Sequence, residues 1–349
     1  MSPIVLAVFL ITLGLGTTLV FSSSHWLLAW MGLEINTLAM LPLMAHTHHP
    51  RTVEATTKYF LIQAAAAALI MFSALINAWT LGSWMITQPM VPLTANITML
   101  ALALKLGLAP AHFWLPEVLQ GLSLPAGLIL STWQKLAPLA LIIQIVPMVS
   151  PHLIIFLGLT STLVGGWGGL NQTQLRKILA YSSIAHLGWM ILSTQLCPHI
   201  TLFYLSFYLS STTLAFLTLI SLQSTTLTGL STSWAKSPML VILFSLLLLS
   251  LGGLPPLAGF APKWLILNEM VKQGLHLPAT ATALSALLCL YFYLRICYTT
   301  TLTISPNITT KSSPWRLRTP KKYLILATTS MIALMLLPII PPLLAWFKF

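Results

Sequence analysis

The scarcity of charged residues is the feature that most restricts the folds this sequence can adopt. Of its 349 residues, 57% are apolar and 6% are charged, and all four acidic residues are glutamates. Soluble domains carry about 25% charged residues, which cover the surface that faces water. The net charge of +12 rests on only 16 lysines and arginines, too few for a basic binding face. The composition excludes a soluble enzyme, a nucleic-acid binder and a disordered chain, and it indicates a polytopic membrane protein.

The apolar runs divide at polar or Pro/Gly-rich breaks into segments that can cross a bilayer. A transmembrane helix needs about 20 mostly apolar residues, and about eleven such segments are present. They do not alternate as barrel strands do, so we predict an all-α protein. The first run lacks a basic n-region and a clear cleavage site, which predicts a retained span rather than a signal peptide. The predicted segments are approximately 3–21, 25–45, 58–82, 95–117, 124–147, 152–171, 177–196, 199–222, 238–271, 276–298 and 323–346.

The basic residues predict how the segments are oriented. Eleven of them lie in, or close to, the loops that follow even-numbered segments, and two lie on the opposite side. The positive-inside rule therefore places the amino terminus on the inner side, which is the cytoplasm or, in a mitochondrion, the matrix, and the carboxyl terminus outside. The eleven are Arg51, Lys58, Arg176, Lys177, Lys236, Arg295, Lys311, Arg316, Arg318, Lys321 and Lys322, and the two are Lys272 and Lys348.

Four ionisable residues lie inside predicted spans, where a charge is costly. They are Glu34, Lys105, Lys135 and Lys263. Burial disfavours the charged form of a lysine, whereas a carboxylate partner favours it, so a buried lysine that gains and loses such a partner takes up and releases a proton. These residues predict a proton relay. The alternative is that these residues form salt bridges that hold the helices together. One carboxylate cannot pair with three lysines, so this alternative leaves ammonium groups without a partner.

Proline interrupts two predicted spans at matching places. Segment four contains LGLAPAHFWLPE with Pro110, and segment nine contains GGLPPLAGFAPK with Pro255 and Pro256. Proline frees backbone carbonyls, which are tolerable at membrane depth only within protein or beside water. The interrupted spans are the fourth members of segments 1–5 and 6–10, which predicts two inverted five-helix repeats of the transporter kind followed by a carboxyl-terminal helix. Ordinary proline kinks explain each break singly but not the matched positions.

Two histidines are second-rank candidates for the relay. His112 follows Pro110 by two residues, and His186 lies within segment seven. An imidazole, with an ordinary pKa of about 6.5, can pass a proton, although a membrane histidine is as often a packing residue. No metal site is predicted at the remaining cysteines and histidines. The cysteines lack the C-x-x-C spacing of such sites, and the histidines have no accompanying carboxylate or cysteine pattern. These residues are Cys197, Cys289, Cys297, His46, His48 and His49.

Five strings in the chain carry a resemblance to a known family. They are WMGLEINTLAMLPLM, KLGLAPAHFWLPEV, TWQKLAP, KILAYSSIAHLGW and GGLPPLAGFAPKW. The chain resembles the antiporter-like membrane subunits of respiratory NADH:quinone oxidoreductase (complex I), above all the vertebrate mitochondrial ones, and related multisubunit cation/proton antiporters. The resemblance implies that Glu34 and Lys105 form the family's glutamate–lysine pair, with Lys135 as the central and Lys263 as the exit-side group. It also implies fourteen helices in the usual members, of which the animal protein lacks the first three.

The resemblance implies a function and a set of partners. It implies a core subunit of complex I in the mitochondrial inner membrane that moves protons and binds no cofactor, while NADH, FMN, iron–sulfur clusters and ubiquinone bind elsewhere in the complex. The partners would be other core and accessory subunits of the membrane arm, and lipids, with no nucleic acid. The whole chain, 1–349, would be one proton-translocation domain with repeats at about 1–147 and 152–298 and a terminal helix at about 323–346. A stand-alone sodium/proton antiporter and a structural scaffold are the alternatives.

Overall fold

The computed structural model describes residues 2–234, 237–302, 323–335 and 342. Within these ranges the regular elements are helices, apart from two isolated β-bridges, and each of the eleven predicted segments contains helix. Seven helical stretches of the described residues are long and apolar enough to cross a membrane, and one of them is the composite run Leu124–Met148. The predicted fold class, an all-α polytopic membrane protein, is confirmed. The α-helices are α1 (Pro3–Ser22), α2 (Trp26–Ala45), α3 (Pro50–Leu81), α4 (Pro92–Leu106), α5 (Trp114–Gly121), α6 (Leu124–Thr132), α7 (Leu136–Ile145), α8 (Pro151–Gly168), α9 (Leu175–Leu196), α10 (Pro198–Leu222), α11 (Leu227–Ser233), α12 (Pro238–Gly252), α13 (Phe260–Lys272), α14 (His276–Leu302) and α15 (Tyr323–Met335).

Some predicted features lie outside the described residues. The predicted terminal span continues to 346, whereas its described part is 323–335 and residue 342. Seven of the basic residues that predict the orientation also lie outside: Lys236, Lys311, Arg316, Arg318, Lys321, Lys322 and Lys348.

The chain folds as two compact units, Met1–Ser161 and Thr162–Phe349. In the first unit α2, α4 and α5 pack against α3, and α7 packs against both α1 and α4. Two glycines allow α1 and α2 to approach closely, since a Cβ added at Gly16 would lie 3.0 Å from the Gly32 carbonyl oxygen, and the reverse distance is also 3.0 Å. In the second unit α10 packs against α9, α12 and α13, while α14 packs against α12 and α13.

Each unit contains one interrupted helix, and the two interruptions are alike in length and geometry. Seven residues separate the end of α4 from the start of α5, and seven separate α12 from α13. The first unwound residue is a glycine in the left-handed region in both cases, Gly107 at φ 79° and Gly253 at φ 89°. The N–H groups of this glycine and of the next leucine both donate to the carbonyl four residues before the glycine. This arrangement closes a helix carboxyl terminus, and glycine adopts it at little cost.

The glycines, not the prolines, end these half-helices. Pro110, Pro255 and Pro256 lie within the unwound stretches, two or three residues after Gly107 or Gly253. The prolines follow the helix ends in the manner usual beyond a carboxyl-terminal glycine, because they cannot continue the helix. The positions of the breaks agree with the sequence prediction, whereas their cause is the glycine-closed helix end.

Candidate proton-translocation site

Two of the predicted lysines line one cavity in the first unit. The Lys105 and Lys135 side chains are 6% and 3% exposed. Both line a cavity of about 20 Å³, measured as the space open to the centre of a water molecule. Such a space holds about one water when polar groups surround it. The polar residues that also line it are Asn36, Thr37, Tyr59, Gln63 and Gln134.

Lys105 stands at the interrupted end of α4. The carbonyl groups of this last turn are satisfied by neighbours: Gln63 Nε2 donates to the Lys105 carbonyl at 3.2 Å, and Trp114 Nε1 donates to the Leu104 carbonyl at 3.2 Å. The Lys105 ammonium itself has no hydrogen-bond partner among the described residues. A buried cation without a hydrogen bond is costly and is retained in membrane helices chiefly where it serves a function.

Glu34 interacts with Lys105 without touching it. The carboxylate is half-buried in α2, accepts a hydrogen bond from the Thr37 hydroxyl at 3.2 Å, and interacts electrostatically with Lys105 and Tyr59. Among the described residues, the ion pairs within 4.0 Å join Lys58 to Glu54 and Glu117, and Lys272 to Glu269. The structure therefore brings the predicted glutamate–lysine pair together as separated partners rather than as a contact ion pair.

Lys135 lies at a local distortion of its span. A 3-10 turn, Trp133–Lys135, separates α6 from α7. The Thr132 hydroxyl donates to the Leu128 carbonyl at 2.7 Å, and Gln134 Nε2 donates to the Asn36 carbonyl at 3.3 Å, which ties the turn to α2. A 3-10 stretch within a long helix often marks a hinge, and Lys135 is the last residue of this one.

Lys263 has a different environment in the second unit. Its side chain is 7% exposed, and its ammonium donates to the carbonyls of Leu251 at 2.8 Å and Gly252 at 2.9 Å. These are the last carbonyls of α12, where a cation also interacts favourably with the helix dipole. Lys263 thus supplies to α12 the donors that Gln63 and Trp114 supply to α4.

The two interruptions show that Lys105 and Lys263 do not occupy equivalent positions. Lys105 lies two residues before Gly107, whereas Lys263 lies ten residues after Gly253. The residue ten positions after Gly107 is Glu117, which is exposed and pairs with Lys58 at 2.7 Å. The similarity of the breaks therefore extends to the backbone but not to the placement of the buried lysines.

The two predicted histidines are both buried, with different partners. His112 lies in the first interruption, where Nδ1 is 3.1 Å from the Pro110 carbonyl oxygen, and it is not among the residues that line the cavity with Lys105 and Lys135. His186 lies in α9, with Nδ1 2.8 Å from the Tyr204 hydroxyl. The structure thus places His112 against its own turn and His186 in a side-chain hydrogen bond between helices.

Sequence reasoning that searched for ionisable groups missed the uncharged polar residues of the site. Asn36, Gln63 and Gln134 line the cavity. Gln63 donates a hydrogen bond to the backbone carbonyl of Lys105, and Gln134 donates one to the backbone carbonyl of Asn36. These residues could have been found in the same way as the lysines, because an amide in the middle of an apolar span also requires a polar partner. No group of three or more metal-ligating side chains was found among the described residues.

The fold and site together define a class of protein. Within the described ranges, apolar helices surround buried lysines, one pair of which shares a polar cavity, and each unit has a helix interrupted at a glycine. Interrupted helices that carry intramembrane ionisable residues are typical of proteins that move ions across membranes. The class is that of antiporter-like membrane proteins.

Comparisons with known proteins identify the family. Residues 23–289 match the model of the NADH:quinone oxidoreductase/Mrp antiporter transmembrane region, and residues 290–344 match that of the NADH dehydrogenase subunit 2 carboxyl terminus. The chain belongs to this NADH:quinone oxidoreductase/Mrp antiporter family.

Curated relatives and solved structures agree with this assignment. The NADH-ubiquinone oxidoreductase chain 2 of Oncorhynchus mykiss is 63% identical over 98% of both chains, and that of Danio rerio is 59% identical over 99% of both. A chain of respiratory complex I from Thermus thermophilus is 29% identical with a TM-score of 0.86, over 96% of this chain and 78% of that one. A chain of the Mrp complex from Dietzia sp., 16% identical with a TM-score of 0.80 over 96% and 75%, shares the fold.

Proposed function

We propose that this chain is a core membrane subunit of mitochondrial NADH:ubiquinone oxidoreductase and contributes to proton translocation across the inner membrane. The near-full-length relatives named as chain 2 of that enzyme support the assignment. Its partners are the other subunits of the complex and the surrounding lipid. The redox groups belong to other subunits, and this chain converts the energy of electron transfer into proton movement.

One observation carries the proposal of proton movement: two buried lysines from separate elements line a single polar cavity. Lys105 holds its proton when Glu34 approaches and releases it when Glu34 withdraws, because a nearby carboxylate favours the ammonium and burial disfavours it. The released proton passes to Lys135 through a water molecule in the cavity, which has room for about one. The Thr37 hydroxyl on the Glu34 carboxylate and the 3-10 turn at Lys135 are the parts that adjust.

Lys263 and the histidines complete the proposed relay. Lys263 is the group in the second unit that exchanges the proton with the far side of the membrane, and His112 and His186 are secondary carriers. The bias of basic residues supports an amino terminus in the matrix and a carboxyl terminus in the intermembrane space. The whole chain acts as one translocation domain with inverted repeats at about 1–147 and 152–298 and a terminal helix at about 323–346; the equal seven-residue interruptions of the two units support the repeats.

Replacing Lys105 by methionine tests the proposal, because methionine fills a similar volume without charge. We expect the complex that contains Lys105→Met to assemble and to translocate fewer protons per NADH oxidised, measured by fluorescence quenching in sealed vesicles. Glu34→Gln is expected to give the same loss through the missing carboxylate.

Lys272→Met is the matched control. Lys272 is an exposed lysine at the end of α13, paired with Glu269 at 2.6 Å, so its removal is expected to leave proton translocation unchanged. An assembled Lys105→Met complex that pumps with the stoichiometry of the parent would overturn the relay.

A further inference from the structure

A layer of buried polar side chains surrounds His186 in the second unit. The imidazole is 4% exposed, and the Tyr204 and Tyr208 rings of α10 lie 5.9 and 5.8 Å from it, centroid to centroid. Both tyrosines are fully buried. The helices that carry His186 and Tyr204, α9 and α10, both pack against α13, which carries Lys263. The hydrogen bond between His186 and Tyr204 therefore lies on helices that adjoin the helix of Lys263, within a single unit.

The hydrogen bond between His186 and Tyr204 has a special chemical property. The Tyr204 oxygen lies 2.8 Å from His186 Nδ1. A tyrosine hydroxyl is both a donor and an acceptor, whereas a histidine nitrogen is an acceptor without its proton and a donor with it. The same pair of atoms can therefore hydrogen-bond in either direction, O–H to N when Nδ1 is unprotonated and N–H to O when Nδ1 carries the proton.

We propose that Tyr204 is a positioning residue that allows His186 to gain and lose a proton at Nδ1 while both side chains stay buried. When a proton arrives at Nδ1, the hydroxyl turns its own hydrogen away and accepts the new N–H. When that proton leaves, the hydroxyl turns back and donates. No bond within tyrosine is broken, and no tyrosinate forms. Without the Tyr204 hydroxyl, Nδ1 would lose the group that donates to it in one protonation state and accepts from it in the other, and an unsatisfied polar atom in a buried site is costly.

This inference rests on the proposed relay and extends it to a residue that carries no net charge. Removing one oxygen atom, in Tyr204→Phe, leaves the ring packing in place and deletes only the reversible partner. Tyr293→Phe is the matched control, because Tyr293 is equally buried and its hydroxyl makes no hydrogen bond to a described residue, so the variant removes a buried tyrosine oxygen that is not a partner of His186.

The test compares four forms of the assembled complex: Tyr204→Phe, His186→Gln, the double variant and Tyr293→Phe. The readouts are the amount of assembled complex, the rate of NADH oxidation and the protons translocated per NADH. We expect Tyr204→Phe to assemble and to lose the same fraction of proton translocation as His186→Gln. The double variant is expected to lose no more than either single variant, because the two residues act as one unit. Tyr293→Phe is expected to pump as the parent does.

The outcomes separate this inference from the proposed function. If His186→Gln lowers proton translocation and Tyr204→Phe does not, the role of Tyr204 is overturned while the relay stands. If the losses of the two single variants add in the double variant, Tyr204 acts independently of His186 and the inference is again overturned. If His186→Gln pumps normally, His186 carries no proton, and both the inference and this part of the relay are wrong.

Discussion

At the scale of single residues, the buried lysines differ in what their ammonium groups contact. Lys105 has no hydrogen bond to a described residue, whereas Lys263 donates to two carbonyls at the end of α12. A charged hydrogen bond contributes about 1.5–3 kcal/mol, and an orphaned carbonyl costs about as much. The same substitution should therefore have opposite structural consequences at the two positions.

Lys263→Met is expected to destabilise the protein by about 3 kcal/mol or more, because both carbonyls lose their donor in a buried site. Lys105→Met is expected to leave stability unchanged or to raise it, because no hydrogen bond is lost and a buried charge disappears. Thermal unfolding of the purified complexes measures both effects. Lys263→Arg, which keeps a charged donor, is the control and should recover most of the loss. Equal melting temperatures for the two methionine variants would contradict the assigned contacts.

The sequence indicates only some of the residues that form the site. A lysine in the middle of an apolar span is conspicuous, so Lys105, Lys135 and Lys263 could be selected from the sequence alone. Their partners could not, because Gln63 reaches the Lys105 carbonyl from 42 positions away, and such contacts depend on how helices pack. The separation of Glu34 from Lys105 has the same origin, since charge alone predicts attraction but packing decides the distance.

At the scale of helices, the two interruptions depend on residues that a search for proline overlooks. The strings KLGLAP and LGGLPP both contain a glycine followed by leucine, with proline two or three residues after the glycine, which is a usual ending of a helix. The sequence predicts where these spans lie, because apolar length is a strong signal. It does not predict which residue ends each half-helix, because glycine and proline occur together and only the backbone geometry distinguishes their roles.

Gly107→Ala and Gly82→Ala separate the cost of the backbone conformation from the cost of packing. Both glycines have positive φ, 79° and 71°, so each alanine is expected to cost about 1–2 kcal/mol of backbone strain. A Cβ at Gly107 would also lie 2.8 Å from Leu115 Cδ1, beside the cavity, whereas one at Gly82 meets nothing within 4 Å. Thermal unfolding should show the larger loss for Gly107→Ala, and proton translocation should fall only there. Equal losses would show that Leu115 yields freely and that the first interruption tolerates a side chain.

At the scale of the whole molecule, the distribution of glutamates separates proton transfer from cation exchange. All four glutamates lie among the described residues. Three of them pair with lysines: Glu54 and Glu117 with Lys58, and Glu269 with Lys272. That leaves Glu34, which accepts a hydrogen bond from Thr37, as the carboxylate available to Lys105. A hard cation requires several oxygen ligands, and a single carboxylate that interacts with a buried lysine forms a poor site for one.

Proton translocation by the complex is therefore expected to be independent of sodium. Replacing all sodium by potassium in sealed vesicles should leave the initial rate of NADH-driven proton uptake unchanged, because the moving charge is a proton carried by lysine and water rather than a metal ion held by oxygens. The uncoupled rate of NADH oxidation, measured in the same media, controls for effects of the salt on electron transfer. A proton flux that rises with sodium concentration while NADH oxidation stays constant would favour cation exchange. The buried ammonium groups argue against that result, since a cation beside Lys105 would add like charge to a site that already holds more positive groups than negative ones.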